Sequence, residues 1–167
     1  MTSTDRPRFL FLRALLAFLV MPGMVAFVIP LLLAPRQAAP SGLRWIGMVL
    51  VVAGTFLLLW CVRDFYVAGK GTLAPWTPPR DLVVTGLYRW SRNPMYLAVT
   101  LILLGWTIWF LSWALLWYAL AVPGAFHLRV VFFEEPWLAQ MHGEAWRRYR
   151  ARVPRWLGRV QPADGEG

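Results

Sequence analysis

The chain has 167 residues, of which 59% are hydrophobic, with a formal net charge of +9 and a mean hydropathy of +0.52. This composition is too apolar for a soluble domain of that length and indicates an integral membrane protein. The single cysteine, Cys61, excludes an internal disulfide and a CxxC metal site, and neither histidine has a second ligand at metal spacing. We therefore predict no metal site, and no basic and aromatic pattern points to a nucleic acid partner.

Four uncharged or nearly uncharged runs predict an all-α, polytopic membrane protein with four transmembrane helices. The runs cover residues 14–34, 45–62, 94–110 and 113–133. Each has about 16 to 21 residues, and at about 1.5 Å per helical residue this approaches or matches a hydrocarbon core of roughly 30 Å. The first run is long for a signal peptide, so we interpret it as an anchor helix that its prolines bend.

Positive charge predicts the orientation of these helices. Three arginines precede the first run, five Lys and Arg lie between the second and third, none separates the third from the fourth, and seven lie at or beyond the end of the fourth. By the positive-inside rule, both termini and the loop at 63–93 face the cytoplasm, which means the inner membrane if the source is bacterial. The same charge suits a bilayer surface with anionic head groups.

Both ends of the third run carry turn or capping signals. Asn93 followed by Pro94 predicts a helix start, in which the asparagine accepts bonds from the first free amides and the proline occupies the first position. The sequence FLSW at 110–113 predicts a tight turn that makes the last two helices an antiparallel hairpin. Tyr96 then lies in the first helical turn and Arg92 on its approach. An interfacial belt of aromatic and basic anchors is an alternative account of this polarity.

Two adjacent carboxylates, Glu134 and Glu135, stand at the apolar end of the fourth run. The helix macrodipole and nearby lipid both disfavour a negative charge at that place, so the glutamates need a positive partner. Arg92 is a candidate partner, because an antiparallel hairpin brings the start of one helix beside the end of the other.

Beyond the glutamates the pattern turns amphipathic, which predicts a helix at 136–150 that lies in the cytoplasmic headgroup layer. Its apolar face would include Met141, and Trp146 would be one of its membrane anchors. No internal repeat divides the chain, so we treat residues 1–160 as one domain and 161–167 as a disordered tail.

At these boundaries the sequence resembles the integral-membrane methyltransferases, the family that includes isoprenylcysteine carboxyl methyltransferase and the phospholipid N-methyltransferases. The matching stretches are LVVTGLYRWSRNPMY at 82–96, the preceding GKGTLAPWTPP, and EEPWLAQMHGEAWRRYRARVPRW at 134–156. They follow the family's order and approximate spacing, whereas the first two spans carry no motif.

The resemblance implies that the protein binds S-adenosylmethionine, without a Rossmann fold, between the last two spans and the C-terminal helix. Carried over by position, the residues that would line this site are Leu82, Val83, Tyr88, Arg92, Asn93, Pro94, Met95, Tyr96, Glu134 and Glu135. The cofactor carries an ammonium, a carboxylate and a sulfonium. Glu134, Arg92 and the tyrosines would offer an anion, a cation and aromatic faces to these groups.

The sequence departs from the prenylcysteine enzymes at several positions. Asn93 replaces a histidine, and Trp146 stands where the family usually has tyrosine. The arginine that those enzymes place four residues before the first glutamate is missing, since Val130 occupies its position and Arg129 is the neighbour.

The implied activity is methyl transfer to a lipid-like substrate, an isoprenylcysteine-type carboxylate or similar, at the cytoplasmic membrane interface. The catalytic candidates are Arg92, Glu134 and His127. A carboxylate nucleophile needs no base, whereas an amine must be neutral before attack and His127 can assist it; a packing role is the alternative for this histidine. Three other functions stay open: a phospholipid amine N-methyltransferase, an NADPH-dependent reductase of the sterol type, and a non-enzymatic membrane protein.

Overall fold

A computed structural model describes residues 19–35, 39–68 and 82–158, and the regular structure in these residues is helical, without a strand. The helices are α1 (π-helical over Leu19–Val28, then α-helical over Ile29–Leu33), α2 (Ser41–Ala68), α3 (Pro94–Phe110), α4 (Trp113–Arg129) and α5 (Glu135–Arg152). A 3₁₀ turn, Gly86–Arg89, precedes α3, and a π-helical turn, Val130–Glu134, joins α4 to α5. The predicted all-α class is confirmed for the described part of the chain.

Some of the predicted features fall outside the described residues. They are the start of the first span at 14–18, the glycine- and proline-rich part of the loop at 69–81, and the tail at 161–167. The single domain over 1–160 likewise stays a prediction.

Two helical stretches of the described chain, Gly42–Asp64 and Trp113–Arg152, are long and apolar enough to cross a membrane. Pro22–Leu33 and Pro94–Phe110 are apolar but shorter, and the 17 residues of α3 extend about 26 Å. The structure therefore supports a helical membrane protein with two candidate spans. The four-span topology and the cytoplasmic position of both termini stay predictions.

The helix that contains the second predicted span is longer than the uncharged run. The helix α2 covers Ser41–Ala68, 28 residues, whereas the uncharged run gave 45–62. The first residues of the predicted loop at 63–93 are therefore helical. The reason is that hydropathy marks only the apolar part of a helix, while a charged side chain such as Arg63, which is 71% exposed, continues the helix without entering lipid.

Close contact between α2 and α3 sets the position of the site. A Cβ atom on Gly47 would lie 2.8 Å from the carbonyl oxygen of Gly105, and one on Gly54 would lie 2.9 Å from that of Ala98. The two backbones therefore touch, as is usual for membrane helices that pack through small residues. Ile102 is fully buried in the core between them. The contact between Gly54 of α2 and Ala98 of α3 holds the first turns of α3 in place.

The predicted hairpin turn is confirmed. Leu111 ends α3 in the left-handed conformation, with φ at 47°, and its amide donates to the carbonyl of Thr107. Ser112 then caps α4, because its hydroxyl accepts a bond from the amide of Leu115. The antiparallel arrangement places the start of α3 beside the end of α4.

The fourth span and the amphipathic helix are continuous. The sequence predicted separate elements at 113–133 and 136–150, but the π turn Val130–Glu134 carries the helix directly into α5. A proline within a helix clashes with the carbonyl four residues earlier, and a π turn locally widens the helix. Pro136 therefore follows the π turn without ending the helix.

The predicted role of Trp146 in α5 as a membrane anchor is wrong. Gly143 has φ 49° and ψ −115°, which interrupts the helix and changes the phase of the residues that follow. Trp146, Tyr149 and Val153 are consequently buried together, while Met141 is exposed. Trp146 is thus a core residue of the protein and not a membrane anchor.

Candidate active site

The approach to α3, residues 82–93, is held against the protein by a few buried side chains. Val83 and Tyr88 are buried with Cys61, and Met95 packs against them. Burial raises the pKa of Tyr88 well above its ordinary value, so its phenol stays protonated. Leu82 packs instead against the buried cluster of α5.

A segment after α5 is fastened across the start of α3. The amide of Arg92 donates to the carbonyl of Pro154 at 2.9 Å. The side-chain nitrogen of Asn93 donates to the carbonyl of Arg155 at 3.0 Å, and the Ser91 hydroxyl donates to the same oxygen at 3.3 Å. Asn93 therefore precedes the helix, as predicted, but its side chain does not cap it. Pro94 occupies the first helical turn and is buried.

Glu135 forms a closed ion cluster with two arginines. Its Oε1 accepts bonds from Arg92 Nη1 and Arg155 Nε, each at 2.8 Å, and its Oε2 accepts one from Arg155 Nη2 at 2.8 Å. The side chains of Glu135 and Arg92 are only 10% and 9% exposed. The Arg92 guanidinium lies 5.5 Å from the centre of the Trp146 ring, a cation–π contact.

Burial and charge act differently on the two arginines of this cluster. Burial lowers the pKa of Arg92, and the charge of Glu135 opposes that effect. The hydrogen bond to Glu135 raises the pKa of Arg155. Both side chains therefore stay cationic, and both donate hydrogen bonds to the same carboxylate, that of Glu135.

Glu134 forms a second, open ion pair. Its Oε1 accepts a bond from Arg129 Nε at 2.7 Å and a short bond from the hydroxyl of Tyr96. The Glu134 and Arg129 side chains are 30% and 47% exposed. Among the described residues, Oε2 of Glu134 has no hydrogen-bond partner. The Arg129 guanidinium also interacts with the Tyr96 hydroxyl. This pair therefore retains one free acceptor beside a partly exposed cation.

The π turn explains why Arg129 reaches Glu134 over five residues. In a regular α-helix, residues four apart share a face, which would put Val130 beside the glutamate. A π-helix has a longer repeat, so residues five apart align. Arg129 thus contacts Glu134 from one position before the place where the prenylcysteine enzymes have an arginine. Sequence reasoning identified neither Arg129 nor Arg155 as site residues, and Pro136 was the one local signal for an altered helical repeat.

Aromatic side chains continue from the open pair into a groove between α3 and α4. Tyr96 stacks on Phe126, with ring centres 4.3 Å apart, and Trp156 leans against Tyr96 at 6.4 Å. The indole nitrogen of Trp156 donates to Nδ1 of His127 at 3.2 Å. The groove has a volume of about 330 Å³ and is lined by Leu97, Thr100, Pro123, Gly124, Phe126, His127 and Trp156.

The structure thus brings most of the predicted site residues together at the mouth of the hairpin, and Arg92 pairs with one of the two glutamates, as the sequence predicted. Arg92 contacts Glu135, while Arg129 contacts Glu134. The described residues contain no group of side chains able to hold a metal ion.

Comparisons with known proteins identify the family of the chain. Residues 43–145 match the family model of phospholipid methyltransferase. The chain is also similar to an uncharacterized protein of Haemophilus influenzae, with 38% identity over 66 residues, which cover 38% of this chain and 100% of that protein. No solved structure matches the chain.

A helical, membrane-type fold with this family match defines a membrane methyltransferase. The chain belongs to the phospholipid methyltransferase family, which confirms the resemblance found in the sequence.

Proposed function

We propose that the protein is an S-adenosylmethionine-dependent methyltransferase that acts on a lipid-like substrate at the cytoplasmic membrane interface. The family match supports the reaction class. The cofactor would supply an electrophilic methyl group on its sulfonium. The acceptor would attack this methyl carbon in line, and the sulfur would keep the electron pair of the broken carbon–sulfur bond and leave as the neutral thioether S-adenosylhomocysteine. An isoprenylcysteine-type carboxylate or a similar lipid group is the acceptor class we favour.

The open ion pair is the observation that carries this proposal. The amino acid end of the cofactor has an ammonium and a carboxylate side by side, so it needs an acceptor and a cationic donor in the same place. Oε2 of Glu134 has no hydrogen-bond partner among the described residues, and the side chains of Glu134 and Arg129 are both partly exposed. Glu134 would bind the ammonium, and Arg129 would take the carboxylate role that the sequence gave to Arg92.

The other site residues would position this pair. Tyr96 fixes Oε1 of Glu134 by its hydroxyl and presents its ring beside the pair, where an aromatic face suits a sulfonium. Arg92 and Glu135 hold α5 against the start of α3. Val83, Tyr88 and Met95 form a buried apolar wall at the approach.

A phospholipid amine is a second candidate acceptor, because the matched family is named for phospholipid methylation. An amine attacks only after it loses a proton, so this version requires a base near the acceptor. A sterol-type reductase would bind NADPH, and a non-enzymatic membrane protein would bind neither ligand.

Calorimetry in detergent with S-adenosylhomocysteine and with NADPH tests the proposal. We expect S-adenosylhomocysteine to bind, and Glu134→Gln to weaken it by about tenfold or more, since a hydrogen bond to a charged group is worth about 1.5–3 kcal/mol. Glu144→Gln is the matched control, because Glu144 is an exposed glutamate in a similar arginine pair. Binding of NADPH alone, no binding by the wild type, or an unchanged affinity of Glu134→Gln would each contradict the proposal.

A further inference from the structure

The groove between α3 and α4 is a narrow, nearly apolar space. Its volume of about 330 Å³ is at the lower end of the roughly 300–1,000 Å³ of ligand pockets. Gly124 forms part of its wall, and a Cβ atom at that position would meet nothing within 4 Å. The missing side chain of Gly124 therefore keeps part of this space open.

The polar atoms of the groove lie around His127. The indole N–H of Trp156 can only donate, so the Nδ1 atom that receives it carries a lone pair. A neutral His127 then has its proton on Nε2 and offers a donor. The Thr100 hydroxyl is already engaged, because it donates to the Tyr96 carbonyl at 2.8 Å.

Two stacked rings connect the wall of the groove to the open ion pair. Phe126 lines the groove and stacks on Tyr96, whose hydroxyl donates to Glu134. A molecule in the groove whose polar end lies at His127 would therefore be separated from the proposed methyl-donor site by these two rings.

We propose that this groove binds the single hydrocarbon chain of the acceptor lipid, with a hydrogen-bond-accepting head group at Nε2 of His127, and that Gly124 determines the girth of the chain. This inference rests on the proposed function and narrows its substrate class. One chain matches a small groove lined by apolar side chains, whereas the two chains of a diacyl phospholipid need a larger space. His127 acts as a donor to the head group, since its Nδ1 lone pair is engaged and cannot take a proton from an amine while the Trp156 bond persists.

Photolabelling in bilayer nanodiscs tests this site. The probes are palmitic acid with a diazirine on its chain and a diacyl phosphatidylethanolamine with the same labelled chain. We expect the fatty acid to label peptides that contain Leu97 or Gly124, and Gly124→Leu to lower that yield by about tenfold or more, the equivalent of about 1.4 kcal/mol. Gly42→Leu is the control, because a Cβ atom on Gly42 also meets nothing within 4 Å and lies at the start of α2.

A second variant tests the contact between the head group and His127 by comparing a probe with a head group and a probe without one. His127→Phe keeps a ring beside Trp156 but removes the Nε2 donor, so it should reduce labelling by the acid and leave labelling by a diazirine alkane unchanged. Stronger labelling of the groove by the diacyl lipid, or an equal yield with Gly124→Leu and Gly42→Leu, would overturn the inference. Calorimetry of the same variants with S-adenosylhomocysteine separates the two proposals, because a groove variant that still binds this ligand leaves the cofactor site intact.

Discussion

Glu134 and Glu135 are adjacent in the chain, yet they lie in two very different regions. Glu135 is buried, and both of its oxygens are bonded to arginines from distant parts of the chain. Glu134 is partly exposed, and one of its oxygens has no partner among the described residues. Neighbouring residues of a helix differ in direction by about 100°. This rotation is enough to leave one glutamate with both oxygens paired and the other with one oxygen free of protein partners.

The difference follows from the cost of removing charge from water. A buried carboxylate must have its bonds filled, because an unpaired charge in a medium of low polarity is costly by several kcal/mol. A half-exposed carboxylate keeps part of its hydration and tolerates an unused oxygen. The same sequence pair therefore provides both a clamp that holds α5 and an acceptor that can exchange water for a ligand.

The largest expected effect comes from breaking the closed cluster. Glu135→Ala leaves Arg92 buried without its carboxylate, and loss of one partner of a buried pair costs about 3–5 kcal/mol. Glu134→Ala should cost less than about 1 kcal/mol, as for a partly exposed pair. Denaturant titration in detergent measures both free energies of unfolding. Equal losses for the two variants would contradict the division between a closed and an open glutamate.

The variant Arg129→Gln tests whether Arg129, the cation of the open pair, binds the cofactor or only supports the fold. If Arg129 binds the carboxylate of the cofactor, S-adenosylhomocysteine should bind about tenfold more weakly or worse, from a charged hydrogen bond of about 1.5–3 kcal/mol. 5′-Methylthioadenosine lacks the amino acid end, so its affinity should not change. Calorimetry of both ligands gives the comparison, and Arg147→Gln, at an exposed arginine, is the control. An equal loss for both ligands would mean that Arg129 only supports the fold.

A smaller effect is expected where the segment after α5 crosses the start of α3. Asn93→Ala removes the bond to the carbonyl of Arg155 and should lower the unfolding free energy by about 1 kcal/mol. Asn93→Asp should be at least as harmful, because a carboxylate cannot donate to that carbonyl. Thermal unfolding in detergent measures both. A stable aspartate variant would instead support the helix-capping role that the sequence predicted.

The smallest effect is expected at Glu144, which pairs with Arg147 on the exposed side of α5. Glu144→Gln should change the unfolding free energy by less than about 0.5 kcal/mol, since exposed ion pairs contribute little. The change should shrink further at high salt, where screening weakens exposed charges. A loss as large as that of Glu135→Ala would show that burial does not separate these glutamates.

The sequence by itself determined much of the architecture. The uncharged run at 94–110 predicted α3 with its observed bounds, and FLSW predicted the turn to α4. These features depend on local properties, namely hydrophobic runs and capping chemistry, which neighbouring residues decide. The same local pattern around Asn93 and the two glutamates identified the family.

Only the tertiary structure decided which arginine pairs with which glutamate. Arg155 follows Glu135 by 20 residues and Arg92 precedes it by 43, so their meeting depends on how α3 and α5 pack. The register of Arg129 depends on a π turn that hydropathy does not reveal, and the kink at Gly143 decides which face of α5 is buried. Ion pairing and helix phase are set by contacts between elements, and a linear pattern gives the candidates for those contacts but not the geometry that selects among them.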